Sequence, residues 1–147
     1  MKIKNIVPKI IIILTTIILL SIISSCDKEN RIPYVYVNFI VYPDLPEYVS
    51  IKTPGNFLYL TGGVEGILLY CQFTDEYLAY ERNCPNDPYK TNAILDVDST
   101  GLFLVCRNCG SKFSIYDGSI VDSPSKYPVL QYQTYLENQA LYINNYN

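Results

Sequence analysis

The sequence predicts an all-β fold, an antiparallel sandwich or barrel with a small two-loop subdomain. Three observations carry that reading. Short apolar runs alternate between turn signals along most of the chain. No helical period of useful length appears after Cys26. The chain holds 15 tyrosines and no tryptophan, and tyrosine suits half-buried strand faces, with the ring on the sheet and the hydroxyl in water.

The chain of 147 residues suggests one domain after a leader. Lys2, Lys4 and Lys9 form a basic start, Ile10 to Ile23 is a mainly apolar run, and Ser24-Ser25 leads into Cys26. That is the layout of a secretory signal, and the apolar run falls short of the roughly 20 residues a spanning helix needs. Small residues followed at once by Cys resemble a bacterial lipoprotein signal. The resemblance implies cleavage after residue 25, lipid on Cys26 and attachment to a bacterial membrane. Asp27 and Glu29 point to the outer membrane. Residues 26–33 then read as a polar tether, and 34–147 as the β domain.

The predicted strands follow in order. Tyr34 to Tyr42 alternates, with Val35, Val37, Phe39 and Val41 on a wholly apolar face directed at the core. Pro43 and Pro46 end it. Val49 to Ile51 is a brief strand, and Pro54-Gly55 a turn. Phe57 to Thr61 stops at Gly62-Gly63. Gly66 to Phe73 places Ile67, Leu69 and Cys71 on one face, so Cys71 reads as a buried hydrophobe. A turn at Thr74-Asp75-Glu76 leads into Tyr77 to Arg82, which delivers the chain to Cys84. Ile94 to Val97 and Leu102 to Val105 flank a turn at Asp98-Ser99-Thr100-Gly101, and the second delivers the chain to Cys106. Phe113 to Tyr116 and Ser119 to Val121 flank Asp117-Gly118. After the rigid loop Ser123 to Pro128, Val129 to Tyr135 and Ala140 to Ile143 close the sheet.

The candidate chemistry lies in two loops, Cys84-Pro85-Asn86 and Cys106-Arg107-Asn108-Cys109-Gly110-Ser111-Lys112-Phe113. Cys-x-x-Cys serves half a zinc site, a thiol–disulfide switch or a local disulfide. A closed zinc site wants four good nitrogen or sulfur donors, and Cys84, Cys106 and Cys109 offer three. A thioredoxin-type switch is expected beside a βαβ pattern, which the chain lacks. In an oxidising compartment, Cys84 pairs with Cys106 or Cys109 to tie the loops together. That alternative leaves a cofactor-free structural or protein-interaction module.

Together with Asp117-Gly118 and the proline loop Ser123-Pro124 to Pro128, these loops resemble a Rieske ferredoxin domain, most strongly from Gly62 to Pro128. The resemblance implies a [2Fe–2S] cluster, an electron-transfer module and a redox protein partner. It places Cys84 and Cys106 as cysteine ligands, Ser111 as a hydrogen-bond donor to cluster sulfur, and Phe113 at an aromatic site. Asn86 and Cys109 stand where the family has its two histidines. The chain has no histidine, so the ligand set is altered. Histidines on one iron raise the potential to roughly −150 to +300 mV, against about −400 mV for plant-type clusters. Cys109 is then a third thiolate, and the fourth donor is water, Asp87 or a cysteine of another chain.

Other classes are disfavoured. Removing Lys2, Lys4 and Lys9 from 11 basic residues leaves 8 against 14 acidic ones, a net charge of −6. That opposes nucleic-acid binding and polybasic lipid attraction. Without histidine there is no Ser-His or Cys-His nucleophile pair, and Gly62-Gly63 reads as a turn, not a phosphate cradle. The chain is expected to be no enzyme, an electron carrier at most.

Overall fold

The computed structural model describes residues 31–145. The predicted signal peptide, Cys26 and the first part of the tether lie outside them. Among the described residues there are ten strands, all in antiparallel pairs. They are β1 (Asn38–Val41), β2 (Phe57–Leu60), β3 (Ile67–Phe73), β4 (Glu76–Glu81), β5 (Leu95–Val97), β6 (Phe103–Cys106), β7 (Lys112–Ser114), β8 (Ile120–Asp122), β9 (Gln131–Glu137) and β10 (Ala140–Asn144). The all-β expectation holds. No helix among the described residues is long and apolar enough to cross a membrane.

A six-stranded sheet runs β1-β10-β9-β4-β3-β2, and a four-stranded sheet runs β5-β6-β7-β8. β3 is buried on both faces from Ile67 to Cys71, because it lies between two cores. Its odd positions, Ile67, Leu69 and Cys71, join Val37, Ile51, Leu141 and Ile143 in one. Its even positions, Leu68 and Tyr70, join Leu95, Leu104, Phe113 and Ile115 of the small-sheet side in the other. The period of two thus feeds both layers from one strand.

Two expectations are corrected. Val49 to Ile51 is not a strand but part of a 3-10 helix, Val49–Lys52. Backbone bonds from Tyr48 N–H to Leu45 O and from Ile51 N–H to Tyr48 O close turns at i to i+3 spacing, and Ile51 is driven into the core. The first strand begins at Asn38 rather than Tyr34. Asn145 replaces its ladder there: its side-chain oxygen accepts from Val37 N–H at 3.1 Å, and its amide nitrogen donates to Val35 O at 2.7 Å.

A buried carboxylate fixes the turn before β3. Glu81 is fully buried and accepts backbone N–H bonds from Val64, Glu65 and Asn83 and the Tyr132 hydroxyl, at 2.7–3.0 Å. Gly63 belongs there because φ is +63° and a Cβ would meet Glu81 Oε2 at 2.2 Å.

Candidate metal centre

Chain continuity brings the two cysteine loops together. Just beyond β4, Asn83 forms an isolated bridge to Ile94, and Cys84 N–H donates to Ala93 O at 2.8 Å. Leu95 pairs with Cys106 in the small sheet. The first loop therefore leaves the strand system one strand away from the second. At Cys106 the chain turns: Gly110 N–H donates to Cys106 O, and Cys106 N–H to Ser111 O. Gly110 has φ +75°, a conformation that suits glycine and closes this turn.

The sulfurs of Cys84, Cys106 and Cys109 all lie within 4.8 Å of one another. Cys84 and Cys109 Sγ are 3.7 Å apart, and all three residues are free thiols. Cys84 and Cys106 are buried, whereas Cys109 is half-buried. Cys71 belongs to the other core, where its thiol donates to Phe73 O at 3.1 Å.

Backbone amides favour the anion at each sulfur. Burial raises the Cys84 thiol well above its ordinary range, and hydrogen bonding with Cys106 adds to this, while the amides of Asn86 and Asp87 oppose it. Burial likewise raises Cys106, against the amides of Cys109 and Asn108. Burial also pushes Cys109 up, but the hydroxyl and amide of Ser111, with the thiols of Cys106 and Cys84, bring it below its ordinary value. Cys109 is the readiest of the three to ionise.

Ser111 is fully buried, with its Oγ 3.1 Å from Cys109 Sγ. The same oxygen accepts Ser125 N–H at 3.0 Å, which leaves its own proton for Cys109. Ser111 therefore joins the sulfur cluster to the proline loop, where Ser125 Oγ donates to Tyr127 O at 2.8 Å.

Sequence reasoning singled out neither of two polar ties that hold the loops. Asp87 accepts from Asn108 Nδ2 at 2.7 Å and pairs with Lys90 at 2.8 Å, joining the first loop to the second. Asp96 pairs with Arg82 at 2.7 Å and with Arg107 of the second loop. Arg82 also lies over the Tyr59 ring, 3.8 Å from its centroid. The sequence shows the charged residues but not their pairing, because Asp96 and Asp98 look alike around a turn. Asp98 instead accepts from Thr100 and Phe103 within its own turn.

Protein-family models give no match to the chain, and neither do the curated proteins. Among solved structures it is similar to a chain in the complex of reduced oxygenase and oxidized ferredoxin in carbazole 1,9a-dioxygenase. The identity is 17%, covering 76% of this chain and 94% of that one, with a TM-score of 0.47. It is also similar to the ferredoxin of carbazole 1,9a-dioxygenase from Nocardioides aromaticivorans IC177. There the identity is 14%, covering 75% and 97%, with a TM-score of 0.47.

Proposed function

We propose that the chain is a membrane-tethered metal–thiolate module of electron-transfer type, exported and held to a bacterial membrane, the outer one, by lipid on Cys26. Its working centre is the site formed by Cys84, Cys106 and Cys109. The observation that carries this reading is the convergence of three sulfurs from two loops, all within 4.8 Å of one another. Thiolates are ligands for soft metals. Burial of Cys84 and Cys106 limits solvent access, and the half-buried Cys109 marks the side from which a redox protein would exchange an electron.

The [2Fe–2S] cluster of the Rieske resemblance does not fit the residues present. Such a cluster takes two protein donors on each iron. Cys84 and Cys106 supply one pair. The second pair would be Asn86 and Cys109, but a neutral amide is a poor donor beside the Cys or His ligands such clusters use, and Cys109 Sγ lies 3.7 Å from Cys84 Sγ.

A second reading is favoured by that same contact. Oxidation in an exported protein joins Cys84 to Cys109 and leaves a cofactor-free interaction domain. One experiment separates the two. The lipidated protein is extracted in detergent under anaerobic conditions, analysed for metals, assayed for free thiols after metal removal, and examined by voltammetry. A bound redox-active metal and three recoverable site thiols support the module. Metal-free protein with a mapped Cys84–Cys109 bridge overturns it.

A further inference from the structure

We propose that the three cysteines form a mononuclear site: one thiophilic cation bound by Cys84, Cys106 and Cys109, with its fourth position filled by an exchangeable ligand from solvent. This rests on the metal–thiolate reading above and fixes the number of metal ions and the donor count.

Distance is the first argument. For a tetrahedral ion with metal–sulfur bonds of about 2.3 Å, neighbouring sulfurs stand about 3.8 Å apart. Cys84 and Cys109 Sγ are 3.7 Å apart, and every sulfur pair is within 4.8 Å. Three sulfurs gathered this closely can share one ion. A two-iron centre instead divides its protein donors between two irons, which sets the pairs apart.

The second argument is the missing fourth donor. No carboxylate among the described residues joins the three sulfurs in the cluster. Other groups of the two loops are engaged elsewhere or unsuited. Asp87 is held by Asn108 and Lys90, and the neutral amide of Asn86 is a poor ligand for a soft cation. Ser111 Oγ accepts from Ser125 N–H and faces Cys109 Sγ. Cys71 packs in the other core.

The third argument is access. Cys84 and Cys106 are 0% and 1% exposed, while Cys109 is only half-buried. The open coordination position therefore lies on the Cys109 side. Three protein ligands plus one exchangeable position is the pattern of an open metal site, in contrast to a closed four-ligand structural one. The donor set selects soft or borderline cations, Fe2+, Zn2+ or Cu+, over Mg2+ or Ca2+. On binding, each thiol that is still protonated releases its proton to solvent as its sulfur–metal bond forms, with no change of oxidation state.

The test uses the detergent-extracted lipoprotein. Metal and acid-labile sulfide are measured as isolated. The reduced, metal-free protein is then titrated anaerobically with Co2+, and thiolate-to-cobalt charge-transfer and d–d bands are followed. We expect one metal per chain without sulfide, saturation at one Co2+ in a tetrahedral spectrum, and a shift of the d–d bands when a small thiol or imidazole is added. Cys71→Ala binds as the wild type. Cys109→Ser weakens Co2+ by more than the roughly 10–100-fold that loss of a supporting partner costs, and circular dichroism confirms that it is folded. Two irons with two sulfides overturn the mononuclear site and leave the metal–thiolate module standing. No metal binding, as isolated or with Co2+, overturns both. One zinc per chain supports the mononuclear site and removes the electron-transfer role.

Discussion

Two buried polar side chains, Ser111 and Glu81, each join separate segments of the chain. The Ser111 hydroxyl touches Cys109 on one side and accepts the Ser125 amide on the other. Ser111→Ala removes an interaction that lowers the Cys109 thiol, so that thiol rises and less of it is ionised at neutral pH. Alkylation of Cys109 in the reduced, metal-free protein is expected to slow several-fold, with about 1–3 kcal/mol of stability lost because the buried Ser125 amide loses its acceptor. Unchanged alkylation kinetics would show that the hydroxyl does not act on the sulfur. At Glu81 the two oxygens accept four donors. Glu81→Gln sets its amide nitrogen against at least one backbone N–H in either orientation, since Val64 donates to one oxygen and Glu65 and Asn83 to the other. Urea unfolding should show a loss of about 1–3 kcal/mol. A neutral result would mean that the turn relaxes around the amide.

At the scale of the element, β3 separates two structural jobs by parity. Leu68 packs toward the small sheet with Cys84 and Cys106, and Leu69 packs in the opposite core. Truncation of either, to Ala, is expected to cost about 2–5 kcal/mol. Only Leu68→Ala should also speed alkylation of Cys84 and Cys106 in the native, metal-free protein. Equal acceleration in both variants would refute the division. This parity was legible in the sequence, because Ile67, Leu69 and Cys71 alternate with Leu68 and Tyr70. So were most strands and the turns at Asp75 and Gly101. The 3-10 helix at Val49–Lys52 was not legible, since a short apolar run does not distinguish a strand from one helical turn. Strand order was not legible either. The meeting of the cysteine loops depends on the Asn83–Ile94 bridge and the Leu95–Cys106 pair, and such pairings leave no local periodicity. Cys84, Cys106 and Cys109 could be singled out from their loops and, by the family resemblance, assigned to one site; the separations of their sulfurs could not be read.

The whole molecule has a stability profile set by what it lacks and by what it buries. With no histidine, no side chain has an unperturbed pKa between pH 5 and 8, so stability should be flat from about pH 5 to about pH 8. Below that plateau, hydrogen bonds depress three turn and loop carboxylates. Lys90 acts first on Asp87, the Thr100 hydroxyl on Asp98 and the Ser119 amide on Asp117. A depressed folded pKa contributes stability that is present above the unfolded value, about 3.9, and is lost as pH falls through the folded one. Above the plateau the sign reverses. Burial raises the thiols of Cys71, Cys84 and Cys106, and it raises the tyrosines too. Tyr70 moves to about 12, with Tyr77, Tyr80 and Tyr132 also raised. A raised folded pKa contributes stability that is present below the unfolded value and is lost as pH rises, because the unfolded chain ionises first. The reduced, metal-free protein should therefore weaken from about pH 8.5 through Cys71, Cys84 and Cys106, which outnumber the opposing, lowered Cys109, and more steeply from about pH 10 through its tyrosines. Urea midpoints across pH, with tyrosinate absorbance recorded in parallel, check both limbs. Tyrosinate from the buried Tyr70, Tyr77, Tyr80 and Tyr132, in excess of that from the exposed rings, should appear together with loss of structure, not before it. Free titration of the buried tyrosines in the folded protein at pH 10 would show that the interior is more open than its packing, and a step in stability between pH 6 and 7 would contradict the plateau.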